Sequence, residues 1–375
     1  MSEDNMEPMK ENIDPSGDVD EKNEIDRIKE EVRKFTAVVS GPTVRLHLQA
    51  YIQLTKVISN ASDLPQSFVK GLVKLSTTSA ILRYRHRTSF KAVEKLLNAL
   101  AKHDSDATLC SIAHVVAALF PLLPNISQSI AGLAIAPSKW LLQHFAEVSD
   151  AAVPELISAL GNLAYYCSIC PKASKIFERK LRTLSSGDKQ AKRIRESVSE
   201  ICKDASCLKK MLCFVSFLFL VDNRIDHDLF IDLFSKTILF SKSRPEDFVI
   251  KICDKGLSRI SSESFHNLLL PNIKKSLLRS PEIAVFGVVR VIESIKFSID
   301  DCFSDLLNGL SPCLTSTSEE LSSTAVSVVV KMASKVEAPA TEKVVGYLME
   351  LLSGARSPEQ RVIILEGLAK CGVTE

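Results

Sequence analysis

The stretch Ser264 to Leu310, SFHNLLLPNIKKSLLRSPEIAVFGVVRVIESIKFSIDDCFSDLLNGL, contains one complete helical hairpin and the start of another. Phe265, Leu268, Leu269, Ile273 and Leu277 recur at helical spacing and share one face. The turn Arg279-Ser280-Pro281-Glu282 follows, and Val285, Val288, Val289, Ile292 and Ile295 mark a second helix. Ser280 suits an N-cap. Pro281 suits the first helical position, where its missing N–H costs nothing and its φ is already set. Pro271, inside the first helix, is expected to kink it by removing one backbone hydrogen bond and crowding the preceding turn.

This unit recurs. Ser243-Arg244-Pro245-Glu246 precedes it, Ser316-Thr317-Ser318-Glu319 follows it, and Arg356-Ser357-Pro358-Glu359 closes the series. With positions 245, 281, 319 and 358 as markers, the spacings are 36, 38 and 39 residues. That period belongs to helical-hairpin solenoids of the HEAT or armadillo type, in which each hairpin buries its two faces against its neighbours. The expected fold is therefore all-α: an elongated solenoid of HEAT/armadillo-like hairpins over residues 25–375, with clear repeats from about 226. Composition agrees, with aromatics at 6%, apolar residues at 46% and only 13 glycines.

Working outward, residues 1–24 carry nine acids against Lys10 and Lys22, a balance of −7, and are turn-rich around Asp14-Pro15-Ser16-Gly17. They are expected to form a disordered acidic tail. The whole chain is formally +2, so the body beyond the tail is +9. A basic body of this kind is compatible with contact to a polyanion without demanding it. Hairpins are expected at 28–58, turning at Gly41-Pro42, and at 63–100. From 105 to 203 helices are expected at 107–120, 137–148, 152–168, 172–184 and 189–203, punctuated by Pro121, Pro124, Pro137, Pro154 and Pro171. Register is not assignable there. In the last hairpin Val362, Ile363, Ile364, Leu365 and Leu368 leave no polar outer face, as if a parent array continued beyond it.

The longest apolar run, Met211 to Val221, is too short to span a bilayer, which needs about 20 residues. No signal peptide is evident, so a soluble, cytoplasmic chain with reduced thiols is expected. The ten cysteines are scattered. Cys167-Ser168-Ile169-Cys170 is the sole Cys-x-x-Cys. Cys202 and Cys207 pair poorly with it as zinc ligands, and the helical setting lacks the βαβ unit of a redox site, so core packing is the expected role. The seven histidines are dispersed and no phosphate-binding glycine loop or catalytic arrangement is present, so no catalytic residue, metal or cofactor is expected. Two basic clusters carry the candidate binding residues: Arg83, Arg85, Arg87 and Lys91, with Tyr84 and His86 interleaved; and, within 172–195, Arg179, Lys180, Arg182, Lys189, Lys192, Arg193 and Arg195. The second segment has a balance of +7. Lysines and arginines on one solenoid face can bind a phosphate backbone without sequence preference, and nearby aromatics can stack on exposed bases. A solvated helix face gives the same pattern.

The run from Phe265 to Pro271, continuing through Ser276-Leu277-Leu278-Arg279-Ser280-Pro281-Glu282, resembles the amino-terminal region of the general-control non-derepressible translational activator family. Shorter echoes are Asp63-Leu64-Pro65, Val69-Lys70-Gly71-Leu72 with Lys74-Leu75, Arg83-Tyr84-Arg85, and Ser241-Lys242 before Pro245. They lie in order from about residue 35 onward, and residues 105–225 match only as hydrophobic helices. The family comprises very large HEAT-repeat proteins that bind ribosomes and activate the kinase of eukaryotic initiation factor 2 alpha. The resemblance implies a non-enzymatic scaffold in the amino-acid starvation response, with the ribosome, both rRNA and ribosomal proteins, as partner and further protein partners along the solenoid. Contact with the kinase is implied only through a carboxy-terminal segment that, like the family's elongation-factor-3-like middle, has no counterpart in this sequence. A protein-adaptor solenoid of the transport or cytoskeletal kind, without RNA contact, is the alternative.

Overall fold

The computed structural model describes residues 16–83, 87–119, 143–182, 187–221, 227–336, 338–355 and 357–370. Among these the ordered elements are helical, as the hydrophobic period requires. The chain divides into two compact units, residues 1–116 and 117–375.

In the first unit, α1 (Ser16–Ser40) packs antiparallel to α2 (Val44–Asn60), and α3 (Gln66–Arg83) to α4 (Arg87–His103), while α2 and α4 lie side by side. Helix α5 (Ser105–Leu119) follows. Helix α1 begins inside the segment expected to be disordered. Residues 1–15 lie outside the described residues. Tyr51 of α2 is buried edge-on against Phe35, with centroids 4.9 Å apart, and its hydroxyl donates to the Ser76 carbonyl at 3.2 Å.

The second unit contains α6 (Val153–Ile169), α7 (Pro171–Leu181), α8 (Asp188–Ile201) and α9 (Leu208–Val221). Helix α10 is His227–Phe234 extended by a π-helical turn, Ser235–Leu239, and α11 is Asp247–Leu257. Helix α12 is Ser262–Ser264, a second π turn Phe265–Leu269, and Leu270–Arg279. Helices α13 (Pro281–Ser294), α14 (Phe303–Leu314), α15 (Glu319–Ala333), α16 (Ala338–Gly354) and α17 (Pro358–Lys370) complete it. Helices α6, α9, α11, α13, α15 and α17 form a row in which each packs on the next. Pro245 is buried just ahead of α11, and Pro281 and Pro358 open α13 and α17.

Two local expectations are corrected. Ser280 occupies the N-cap position of α13 but makes no side-chain cap bond. It closes α12 and opens α13 at once, with φ −150° and ψ 67°, and its carbonyl accepts from Ile283 and Ala284. Ser318 and Ser357 do cap, accepting from the amides of Leu321 at 3.5 Å and Gln360 at 3.2 Å. Pro271 is absorbed rather than simply kinking its helix. The π turn just before it lets the Leu270 amide reach back to Phe265, so the widened ladder passes the residue that cannot donate.

The run Met211 to Val221, too short for a membrane, is α9. Its central residues are buried on every side because α6, α11, α10 and α7 surround it. Helix α7 is the departure from strict alternation: it lies across α6 and α9, burying Ala173, Ile176, Phe177 and Leu181. Phe177 meets Phe217 of α9 edge-on at 5.0 Å. No helix among the described residues is long and apolar enough to cross a membrane.

Neighbouring hairpins are also fastened one repeat apart. Polar links include Lys209 to Glu246 at 2.8 Å, Asn272 to Ser235 at 3.1 Å and the buried Gln360 to Ser322 at 2.9 Å. A second set joins a basic side chain to a carbonyl at a helix end of the preceding hairpin. Arg83 donates to Val39 and Gly41, His103 to Ile58, Arg259 to Phe219 and Lys335 to Ile295. Helix C-termini leave such carbonyls without an intrahelical donor, and a cation there also opposes the dipole.

Candidate interaction surface

Helix α7 is amphipathic in charge. Lys172, Lys175, Arg179 and Arg182, spaced three, four and three residues apart, are all exposed, opposite the face that covers α9. Glu178, between them, pairs with Arg182 at 3.0 Å and with Lys255 of α11 at 3.5 Å. The Lys180 side chain lies outside the described residues. On α8, Lys189, Lys192 and Arg195 are exposed, and Lys192 is 3.8 Å from Glu196.

Arg193 departs from the expected role. Its side chain is only 11% exposed and pairs with Asp150 at 2.6 Å. It also donates to the carbonyl of Val148 at 2.5 Å and to Gln190 at 3.0 Å. It fastens α8 to the segment before α6 instead of facing a partner. Arg83 is engaged in the same way, at 2.7 Å from Val39 and 2.8 Å from Gly41. Lys91 is exposed on α4, while Arg85 and the Arg87 side chain lie outside the described residues. The exposed cations of the two predicted clusters are therefore Lys91 in the first unit and Arg179, Arg182, Lys189, Lys192 and Arg195 in the second.

The sequence reading missed a groove. A cavity of about 880 Å³ runs along the exposed edge of the helix row between α7, α11, α13 and α15. Lys175, Arg244, Lys251, Lys255, Arg290 and Lys331 line it, with Glu178, Asp247 and Glu293 among them. Glu293 holds Arg290 at 2.9 Å and also pairs with Lys331. Arg244 pairs with Glu320 and lies 4.1 Å over the Phe286 ring, a cation–π contact. Among the described residues, no carboxylate lies within ion-pair distance of Lys175 or Lys251, although the charge of Lys251 is felt by Asp254. The available signal was periodic: Lys251, Arg290 and Lys331 are spaced 39 and 41 residues apart, one repeat each.

Several cysteines sit in settings that suppress thiolate chemistry. Burial pushes Cys167 well above the ordinary thiol range, Cys202 and Cys313 up to about 11, and Cys213 and Cys302 up to about 12. Cys170 is exposed. Under native conditions a thiol-reactive disulfide reagent is expected to modify Cys170 well before the buried Cys110, Cys167, Cys213 and Cys253, which should react only on unfolding. Rapid native reaction at Cys167 would contradict its place in the α6 core. His266, Asp301 and Cys302 also approach one another closely enough to share an ion. The Cys302 thiol, however, is 3% exposed and donates to the Ile299 carbonyl at 3.5 Å, while His266 meets Asp301 at 3.2 Å. The trio has the character of an inter-hairpin clasp.

The paired helices and their one-repeat links define a helical-repeat protein of the α-solenoid class. Within that class, residues 227–360 match the family described as the amino-terminal region of the stalled ribosome sensor GCN1. The chain is 23% identical to the stalled ribosome sensor GCN1 of Mus musculus over 367 residues, and 24% identical to that of Homo sapiens over 368. Each match covers 91% of this chain and 14% of the relative, so the chain spans about a seventh of the length of these proteins. Among solved structures, Kap121p aligns with 92% of this chain and 41% of its own, at 11% identity and a TM-score of 0.43. The chain is thus similar to an amino-terminal part of these proteins, and the stretch Phe265 to Glu282 that carried the resemblance lies inside the matched segment.

Proposed function

We propose that this chain is a non-enzymatic, cytoplasmic scaffold that associates with ribosomes and takes part in sensing their stalling. In this reading it supports activation of the initiation factor 2 alpha kinase during amino-acid starvation, with kinase contact supplied by other segments. The observation that carries the proposal is the match to the stalled ribosome sensor along 91% of the chain. The exposed cations of α7 and α8 support it. Arg179, Arg182, Lys189, Lys192 and Arg195 offer a phosphate backbone a surface that needs no base-specific reading.

Co-sedimentation of the purified chain with stalled and with run-off ribosomes, across a salt series, tests this. The comparison variant changes Arg179, Lys189, Lys192 and Arg195 to glutamate and leaves the structural Arg193 in place. Binding should fall steeply with salt and be lost in the variant, because each neutralised phosphate contributes to the salt slope. Binding that ignores salt and the four substitutions, or its absence at low salt, would count against the reading.

A further inference from the structure

The groove along α7, α11, α13 and α15 is basic without being built for a polyanion. Acids in or beside it hold most of its cations: Glu178 takes Lys255, Glu293 takes Arg290 and Lys331, and Asp247 together with the neighbouring Glu320 takes Arg244. Lys175 and Lys251 are left over, both exposed and both lining the same cavity. A nucleic-acid backbone, charged at every residue, would set phosphates against Glu178, Asp247 and Glu293 as well as against the lysines, and like charges at short range repel. A chain with spaced carboxylates avoids that repulsion. The remaining lining is apolar, with Ile169, Phe248, Ile250, Ile252, Phe286 and Val289 available between the charges. Every lining residue except Arg244, in the turn before α11, lies on a helix or at a helix end, so the groove offers no free strand edge and recognition runs through side chains.

We propose that this groove binds an extended acidic polypeptide segment of a partner protein, its carboxylates alternating with apolar side chains and meeting Lys175 and Lys251. The inference is independent of the ribosome reading, which uses α8 and the outer face of α7.

The test is fluorescence anisotropy of the full chain at low salt with three probes: a short labelled peptide of alternating glutamate and phenylalanine, its lysine counterpart, and an oligouridylate. The acidic peptide should bind and the basic one should not. Lys175→Glu with Lys251→Glu should weaken the acidic peptide by about tenfold or more and confer binding of the basic peptide. Lys175→Gln with Lys251→Gln removes the charges without reversing them and should give a smaller loss. Both pairs are exposed, so circular-dichroism melting should match the parent chain. Failure of the acidic peptide to bind, unchanged binding in both variants, or displacement of the peptide by oligouridylate would each overturn the proposal. Ribosome co-sedimentation of the double glutamate variant separates the two readings: retained sedimentation with lost peptide binding is the expected pattern.

Discussion

Replacing Phe177 with alanine is expected to destabilise the second unit by about 3–5 kcal/mol, the range for emptying a buried aromatic site. Phe177 is fully buried and fixes α7 to α9 through Phe217 at 5.0 Å. Helix α7 has only 11 residues, and four apolar side chains anchor it. A helix that short is marginal in isolation, so its order depends on that docking. Denaturant unfolding should show the loss. Hydrogen exchange should place it, with amides of α7 losing protection while those of α13 and α15 keep theirs. The groove would lose one wall, so acidic-peptide binding should fall with it. A loss below about 1 kcal/mol, the typical effect of an arbitrary point mutation, would mean that α7 is not held by this contact.

The second large effect is expected at Gly256. A Cβ there would lie 2.7 and 2.8 Å from ring atoms of Phe230. That ring cannot yield, because it is fully buried and packed between Phe219 and Phe234, at 5.3 and 6.2 Å. Gly256→Val should therefore separate α10 from α11 and cost about 1–3 kcal/mol by overpacking. Gly346→Ala is the contrast: nothing lies within 4 Å of its added carbon, and an exposed helical glycine exchanged for alanine should raise stability by up to about 1 kcal/mol. Thermal melts of the two variants should move in opposite directions. A shift of the same sign in both would contradict the close approach of α10 and α11.

The repeat was legible because its punctuation is chemical. Pro281 and Pro358 can stand at a first helical turn and almost nowhere else in a helix, so their spacing exposed the period without knowledge of any contact. The family resemblance was clearest in the same region for the same reason. Helix α7 was legible as a helix but not as a cover, since its apolar stripe looks like that of any hairpin arm and only α9, apolar all round, requires an additional neighbour. The cations were the least legible. Nothing local to Arg83 or Arg193 shows that a carbonyl more than 40 residues earlier will take the guanidinium, and the same composition could have left either exposed. The groove was hidden because its charges come from four helices one or two repeats apart, so a search for clusters along the chain passes over them.

The cation-to-carbonyl clasps also bear on how the molecule would respond to load. In each, a residue near the end of one hairpin closes the end of the hairpin before it: Arg259 for Phe219 and Lys335 for Ile295. Pulling away the later member breaks its own packing and strips the earlier one of a donor, leaving a carbonyl to be rehydrated or stranded. Pulling away the earlier member frees the cation into solvent, where it needs no replacement. Resistance to peeling is thus polar along the chain, greater from the carboxy-terminal side than from the amino-terminal side. A molecule drawn out by force would yield in steps of about one hairpin, each releasing roughly 130 Å of extended chain.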